Sequence, residues 1–194
     1  MLTLAFNPIS HGWWPAARRV PSPNHNDRPV GTDINALVIH NISLPPGQFG
    51  GGYIEQFFGN QLDSSIHPYF ASIAALQVSA HCLIDRRGHT IQFVSFDQRA
   101  WHAGRSSLAG VVECNDYSIG VELEGVDDRP YTASQYQMLV KLTRDLMRRY
   151  PSITFDRIVG HSDVAPGRKT DPGPAFDWSL YRELLRASVS QDNR

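Results

Sequence analysis

Residues 36–40 read ALVIH, a short apolar run rich in β-branched residues that ends in a histidine. Such a run is typical of a strand buried on both faces of a sheet. Residues 157–161 read RIVGH and repeat the pattern of an apolar strand followed directly by a histidine. Because the loops at strand ends of open α/β sheets shape ligand clefts, His40 and His161 mark the edge at which a site is expected.

Further strands are predicted on either side of this run. Residues 80–84 and 90–94 flank the tetrapeptide DRRG, whose Asp and Gly favour a tight turn, so the two segments are predicted to form an antiparallel hairpin. Segment Ser118–Glu124 alternates apolar and polar residues, which places the carboxylates of Glu122 and Glu124 on one face of a strand.

Helices are predicted from apolar residues at helical spacing. The strongest pattern covers residues 133–150, where Thr132 and Gln135 form a capping-box pair at the start. Shorter patterns cover Tyr53–Phe58 and residues 176–186. The combination predicts an α/β fold with one domain and a central mixed β-sheet.

Composition divides the chain into three parts. Residues 1–34 are rich in proline and polar residues and are expected to form an irregular arm packed on the domain of residues 35–188, with a polar tail at 189–194. The 194 residues carry a formal net charge of -1, so there is no general basic field to attract nucleic acid or an anionic membrane surface. We expect a monomer that binds neither.

The N-terminus lacks both a basic start and an apolar stretch long enough for a signal peptide, which predicts a cytoplasmic protein. Cys82 and Cys114 could form at most one disulfide, and neither lies in a paired-cysteine metal motif. Both are therefore expected to be buried thiols.

Residues 160–173, GHSDVAPGRKTDPG, contain the densest group of reactive side chains. Lys169 and Asp171 are two residues apart, so in an extended segment both project to the same side. If Asp171 joins His40 and His161 on a zinc ion, the metal has three protein ligands and an open position, as in catalytic zinc sites. Nitrogen and oxygen ligands suit zinc, although other divalent metals accept the same set.

Such a centre needs a proton carrier and a group that stabilises negative charge. Glu122 and Glu124 are both candidates for the carboxylate that carries a proton to the departing amine. Lys169 is the candidate for stabilising an oxyanion on an amide carbonyl. The alternative is that Lys169 and Asp171 merely pair on a surface loop, an interaction worth about 0 to 1 kcal/mol.

Several blocks of sequence, in order and over nearly the whole chain, resemble the AmpD-type cytoplasmic 1,6-anhydro-N-acetylmuramyl-L-alanine amidases, within the wider amidase and peptidoglycan-recognition fold. The blocks are RVPSP (19–23), VIHNISLPPG (38–47), HPYF (67–70), VSAH (78–81), RAWHAG (99–104), CND (114–116), IGVELEG (119–125) and RKTDPGP (168–174).

The resemblance implies a sheet flanked by helices and a zinc ion held by His40, His161 and Asp171. It also implies that Glu122, rather than the second carboxylate of its strand, is the acid and base, and that Lys169 assists at the oxyanion. The implied substrate is a 1,6-anhydro-muropeptide from cell-wall recycling. The implied cut falls between the lactyl carbonyl of N-acetylmuramic acid and L-alanine.

Three residues at matching positions are expected to contact substrate. Tyr69 and Trp101 would pack on sugar and stem peptide, and Asn41 would hydrogen-bond the muramyl group. The alternative is that the two aromatic residues are large core residues with a polar tip near the surface. His81 and His102 lie in matching blocks without an assigned ligand role and are expected to be structural or to line the cleft.

Two positions depart from the resemblance. Some members of the family carry arginines just before the VSAH and CND blocks, where this chain has Gln77 and Glu113. Because arginine can clamp a carboxylate with two hydrogen bonds and glutamate repels it, recognition of the peptide carboxylates is expected to differ.

Three other functions fit parts of the sequence. A non-catalytic module of the same fold would bind peptidoglycan fragments, but it would be expected to lose a ligand or the acid and base. An exported autolysin would act on intact wall, which the expected lack of a signal peptide disfavours. An α/β interaction protein would use its histidines as core residues, and absence of stoichiometric zinc would favour it.

Overall fold

A six-stranded mixed sheet forms the centre of the computed structural model, which describes residues 9–192. The described strands are β1 (Arg18–Arg19), β2 (His25–Asp27), β3 (Ala36–Ile42), β4 (Cys82–Ile84), β5 (Thr90–Gln92), β6 (Gln98–Ala100), β7 (Ser107–Leu108), β8 (Val111–Val112), β9 (Ser118–Glu124) and β10 (Ile158–Gly160). The described helices are α1 (Tyr53–Phe58), α2 (Pro68–Ile73), α3 (Cys114–Tyr117), α4 (Ala133–Arg149), α5 (His161–Val164) and α6 (Trp178–Asp192), with a 3-10 turn at Phe155–Arg157.

The sheet has the order β1-β5-β4-β9-β3-β10. Strand β3 lies between β9 and β10 and is parallel to both, while β4 and β5 form the antiparallel hairpin expected from the sequence. The fold is therefore the predicted single α/β domain with a mixed sheet. Since β3 and β10 are parallel neighbours, the segments that follow them emerge at the same edge.

The two faces of the sheet have different partners. Helices α4 and α6 cover one face, where Ile39 of β3 and Val121 of β9 pack against Leu139 and Leu185 of the helices. Burial of each such side chain contributes about 1.5–3 kcal/mol. Because strand side chains alternate, the polar residues of the same two strands lie on the opposite face.

Helix α4 begins and ends close to the predicted positions. The Thr132 Oγ1 accepts the backbone N–H of Gln135 at 3.1 Å, and the Gln135 Oε1 accepts the backbone N–H of Thr132 at 3.1 Å. This capping box satisfies two N-terminal donors of the helix, as expected from the sequence.

The C-terminal helix is longer than the pattern of residues 176–186 predicts. Helix α6 begins at Trp178, after Asp177 accepts the backbone N–H of Leu180, and runs to Asp192. Residues 189–192 of the expected polar tail are therefore helical, whereas residues 193–194 lie outside the described part of the chain.

The described part of the expected arm, residues 9–34, is mostly irregular but adds β1 beside β5 and β2 beside β6. Residues 1–8, on which the absence of a signal peptide was argued, lie outside the described residues. The division of the chain into arm, domain and tail stays a prediction.

Arg28 attaches this arm to the domain. Arg28 is half-buried, and its guanidinium donates hydrogen bonds to the backbone carbonyls of Phe96, Asn115, Asp116 and Ser118 at 2.6–3.3 Å. Burial lowers the pKa of Arg28 to about 10, although the nearby acidic groups oppose this shift. One side chain thus satisfies four carbonyls from two separate stretches of the chain.

Both cysteines are buried and free, as the sequence predicts. Burial alone raises the pKa of Cys82 well above its ordinary value, so that thiol is unreactive. Within residues 9–192, none of the helices combines the length and the apolar character that crossing a bilayer requires.

Candidate active site

Two adjacent strands bring the predicted histidines together. His40 is the fifth residue of β3, and His161 follows β10 as the first residue of α5. The backbone N–H of Ser162 donates to the carbonyl of Asp171 at 3.0 Å, which returns the intervening loop to the same sheet edge. Positions far apart in sequence therefore meet above the carboxyl ends of β3 and β10.

The three side chains present a compact set of ligand atoms. The Nδ1 atoms of His40 and His161 are 3.0 Å apart, and the Oδ2 of Asp171 lies 3.1 Å from the first and 3.0 Å from the second. Tetrahedral zinc with bonds of about 2.0–2.1 Å needs ligand atoms about 3.3 Å apart. The near-equilateral triangle and its N, N, O composition therefore fit a small divalent cation such as zinc.

The environment of His40 favours the neutral imidazole that metal binding requires. His40 is buried, and burial lowers its pKa to about 4 despite the opposing hydrogen bond with Asp171. A histidine binds a metal only through a deprotonated ring nitrogen. At neutral pH this ligand is therefore already in the binding form.

A cavity of about 640 Å³ opens over these three residues. Glu122, Lys169, Asn41, Tyr69 and Trp101 also line it, so the structure brings to one place the eight residues to which the resemblance gives a ligand, catalytic or substrate-binding role. Apolar side chains form much of the remaining wall, including Leu44, Phe57, Leu76 and Val78. A mostly apolar cleft with convergent polar groups is the usual form of a small-molecule site.

Glu122 faces the ligand triangle from the neighbouring strand. It is paired in register with His40, is 9% exposed, and its Oε2 has no hydrogen-bond partner. Burial, together with the charge of Asp171, raises its pKa well above the ordinary value, while Lys169 opposes the shift. A carboxyl group with a raised pKa can both release and take up a proton near neutral pH.

Glu124 is engaged elsewhere, although it shares a face of β9 with Glu122. Its Oε1 accepts the backbone N–H of Gly50 at 2.5 Å, and its Oε2 accepts that of Arg86 at 3.2 Å. Both carboxylate oxygens of Glu124 therefore bind backbone groups of two loops. Of the two carboxylates that the sequence left open, Glu122 is the one that lines the cavity.

Lys169 and Asp171 both line the cavity, although Lys169 is itself exposed. Asp171 is only 14% exposed and directs its Oδ2 to the two histidines. Lys169 contributes positive charge beside Glu122 and His40. Among the described residues Asp171 pairs with these two histidines and no ion pair joins it to Lys169, which disfavours the alternative of a Lys169–Asp171 pair.

Asn41 lines the cavity, but its amide hydrogens are already used. Its Nδ2 donates to the Oδ1 of Asp127 at 2.8 Å and to the carbonyl of Pro172 at 3.1 Å. Tyr131 donates to the same Pro172 carbonyl at 2.8 Å. Asn41 thus steadies the loop that carries Asp171, and its Oδ1 is the atom left to receive a hydrogen bond from substrate.

The two aromatic residues are cleft residues rather than core residues. Tyr69 is 39% exposed and lines the cavity. Trp101 is half-buried, and its indole Nε1 donates to the Oδ1 of Asn26 in β2 at 2.7 Å. The arm therefore fixes the orientation of one wall of the cleft.

The positions that depart from the family pattern lie outside the cavity lining. Glu113 is exposed and has its Oε2 3.5 Å from Arg99, and Gln77 is exposed. Their effect on peptide carboxylates stays a prediction.

Sequence reasoning did not assign the groups that hold the ligands. His102 was expected to be structural or to line the cleft, and it proves to contact His40 directly, with its Nδ1 3.0 Å from the His40 Nε2. Asp127, which holds Asn41, was not identified at all. Both contacts join distant parts of the chain, so no local pattern in the sequence indicates them.

Known proteins resemble this chain over most of its length. Residues 30–174 match the family described as N-acetylmuramoyl-L-alanine amidase. The chain is 54% identical over 184 residues to the 1,6-anhydro-N-acetylmuramyl-L-alanine amidase AmpD of Enterobacter cloacae, a match that covers 95% of this chain and 98% of that relative.

Solved structures have the same fold. A crystal structure of a selenomethionine derivative of AmpD aligns with a TM-score of 0.89 at 54% identity, over 91% of this chain and 98% of that one. The Escherichia coli amidase AmiD, in complex with its substrate anhydro-N-acetylmuramic acid-L-Ala-D-gamma-Glu-L-Lys, aligns with a TM-score of 0.58 at 29% identity, over 82% of this chain and 61% of that one.

Proposed function

The chain belongs to the N-acetylmuramoyl-L-alanine amidase family, among the AmpD-type enzymes, and on that premise we propose that it hydrolyses 1,6-anhydro-muropeptides with the help of zinc. The bond cut is the amide between the lactyl carbonyl of the 1,6-anhydro-N-acetylmuramyl group and L-alanine. The observation that carries the proposal is the triangle of His40, His161 and Asp171 beside a buried, unpartnered Glu122 in one cleft.

Zinc is the cofactor in this proposal, held by His40, His161 and Asp171. Bound there, it supplies a Lewis acid that polarises the amide carbonyl and lowers the pKa of water toward about 7. The buried, neutral His40 and the carboxylate of Asp171 provide the donor set without a cysteine.

Glu122 moves the proton. Its raised pKa and its place in the cleft suit it to take a proton from the attacking water and to pass that proton to the alanine nitrogen as the C–N bond breaks. The products are the free lactyl carboxylate and the free peptide amine.

Lys169 stabilises the charge that develops on the carbonyl oxygen. Lys169 is an exposed residue at the rim of the same cleft, where its positive charge acts on Glu122 and His40 and would attract an oxyanion. Lysine suits this task because its compact charge needs no planar partner.

The remaining cleft residues orient the substrate. Tyr69 and Trp101 offer aromatic faces to the sugar and the stem peptide, and the Oδ1 of Asn41 accepts a hydrogen bond from the muramyl group. The substrate in the E. coli AmiD complex, an anhydro-muramyl peptide, belongs to the same chemical class.

The biological setting is part of the proposal. We assign the protein to cytoplasmic peptidoglycan recycling, as a monomer that engages neither nucleic acid nor a membrane, in keeping with its formal net charge of -1. In this proposal residues 35–188 form the zinc amidase domain, and the described residues 9–34 pack on it as an arm.

The decisive experiment combines elemental analysis for zinc with a mass-spectrometric assay of 1,6-anhydro-N-acetylmuramyl tripeptide, with and without a chelator. We expect one zinc per chain and release of free tripeptide that stops on chelation and returns when zinc is added back. Bound zinc with substrate binding and no cleavage would indicate a non-catalytic binding module. Cleavage of intact wall in preference to the anhydro fragment would indicate an autolysin.

A further inference from the structure

The two ligand histidines each make a second contact, and both contacts are with one dipeptide. The Nε2 of His40 lies 3.0 Å from the Nδ1 of His102, and the Nε2 of His161 lies 3.2 Å from the backbone carbonyl of Ala103. In each ring the nitrogen that faces this dipeptide is the one opposite the Nδ1 of the ligand triangle.

The hydrogen bond between His40 and His102 has a direction that its surroundings fix. The hydroxyl of Ser118 donates its one hydrogen to the carbonyl of Cys114 at 2.5 Å, so towards the His102 Nε2, 3.3 Å away, it acts as acceptor. His102 therefore carries its proton on Nε2 and accepts at Nδ1. His40 must then donate from Nε2, which leaves a free lone pair on its Nδ1.

A single hydrogen bond sets the same tautomer in His161. A backbone carbonyl only accepts, so the His161 Nε2 donates to Ala103 and its Nδ1 keeps a lone pair. The guanidinium of Arg168 also donates to the Ala103 carbonyl, at 2.6 Å, and holds that acceptor in place.

The dipeptide itself is held by Asn115 and by the space beside Gly120 of strand β9, which has no side chain. The buried Oδ1 of Asn115 accepts the backbone N–H groups of His102 at 3.1 Å and of Ala103 at 2.8 Å. The His102 ring lies directly over Gly120, where a Cβ would come within 2.4 Å of the ring.

We propose that the His102–Ala103 dipeptide, anchored by Asn115, is the positioning unit of the metal centre. It fixes both ligand histidines in the tautomer whose Nδ1 lone pair points at the metal, and so sets the zinc affinity. His102 acts through His40 and is a positioning residue. The inference rests on the proposed zinc centre and goes beyond it by assigning the groups that orient the ligands.

The test compares two amides at position 102 with a matched change at a neighbouring histidine. His102→Asn places an amide oxygen near the original Nδ1 and can still accept from His40, whereas His102→Gln extends past that position towards Ser118. His81 is fully buried, whereas His102 is half-buried, and the two rings are 5.7 Å apart. His81 bonds Gly120, Gln98 and Arg28 rather than a ligand histidine. His81→Gln is therefore the matched control.

The measurements are the zinc dissociation constant by competition with a chromophoric chelator, and thermal unfolding of the chelator-treated proteins. Loss of a group that orients a metal ligand typically weakens affinity about 10- to 100-fold, and we expect that loss in His102→Gln. We expect His102→Asn and His81→Gln to bind zinc close to the wild-type affinity, with His81→Gln losing thermal stability.

The proposal is overturned if His102→Gln binds zinc as tightly as wild type, if His102→Asn is as weak as His102→Gln, or if His81→Gln loses as much affinity. Wild-type protein without zinc affinity would overturn the proposed metal centre and this inference with it. Wild-type binding with no difference among the variants would overturn this inference alone.

Discussion

Glu122 and Glu124 lie two residues apart on the same face of β9, yet their surroundings give them different chemistry. Glu124 spends both oxygens on backbone N–H groups, whereas Glu122 has an oxygen without a partner in the cleft. We expect Glu122→Gln to lower kcat about 10²- to 10⁴-fold with zinc content unchanged. Glu124→Gln should keep its turnover and lose about 1 kcal/mol of stability. Steady-state kinetics with elemental analysis compare the two, and the reverse ranking would remove Glu122 from its role.

Lys169 is expected to act on the rate rather than on metal binding. We expect Lys169→Ala to lower kcat by about 10² or more, because a positioned charge at the oxyanion is lost. Lys141→Ala, on the outer side of α4, is the matched control and should leave kcat unchanged. Loss of zinc from Lys169→Ala would instead show that the lysine supports the structure of the metal site.

At this scale the sequence predicted the candidates for metal ligands and proton carrier, but not the hydrogen bonds that keep the residues of the cleft in position. His40 and His161 were singled out because each follows an apolar run in the sequence. In the structure His161 follows β10, whereas His40 lies within β3, which continues to Ile42. The donors of Asn41 are consumed by Asp127 and Pro172, far away in the chain, and no pattern around Asn41 encodes that. Contacts between loops depend on the assembled fold, so sequence spacing does not predict them.

Among the elements, β9 shows how an absent side chain can shape a site. Because the His102 ring occupies the space that a Cβ at Gly120 would fill, Gly120→Ala must displace the ring or the strand. We expect a loss of about 1–3 kcal/mol, the usual cost of overpacking, together with weaker zinc binding. Urea unfolding and chelator competition measure the two effects. Unchanged stability and unchanged zinc affinity would contradict the close packing of His102 on the strand.

The elements differ in how far the sequence predicted them. Helix α4 and strand β9 were placed within a residue or two because their periodicity and capping are local. Helix α2 was not predicted, although His67 caps it and Pro68 is its first residue. Its six residues are too few to show a helical pattern of apolar residues. Strands β6, β7 and β8 have two or three residues each, too few for an alternating pattern.

At the scale of the whole molecule, the half-buried Arg28 is one of the contacts that join the arm to the domain, beside the pairing of β1 with β5 and of β2 with β6. Lysine has three donors on a compact head and does not reproduce the fork of Arg28, so we expect Arg28→Lys to cost about 2 kcal/mol or more. Arg18→Lys, which alters the exposed pair with Glu55, is the control and should change stability by about 0–1 kcal/mol. Equal urea midpoints for the two variants would argue against this anchoring.

Buried histidines make global stability depend on pH. Burial lowers the pKa of His40 to about 4 and those of His81 and His102 well below 6.5. Below about pH 6.5 the unfolded chain therefore binds protons that the folded chain does not. The free energy of unfolding should decrease by about 1.4 kcal/mol for each such group with every pH unit that the pH is lowered.

Urea unfolding of chelator-treated protein between pH 7.5 and 5 measures this dependence. His81→Gln, which removes one of the three groups, should show a shallower decline. A stability that stays constant over this range would refute the buried, neutral state of these rings.

His40 and Asp171 are 131 residues apart in the chain, and strand β10 joins the sheet beside β3 only after nearly all other strands have been made. During synthesis the first ligand leaves the ribosome long before its partners, and domains fold as units once their contacts are available. A nascent chain cut short before Asp171 has an incomplete donor set. The proposed metal site is thus assembled late in synthesis, and chains truncated in this way are expected to lack the proposed activity towards wall fragments.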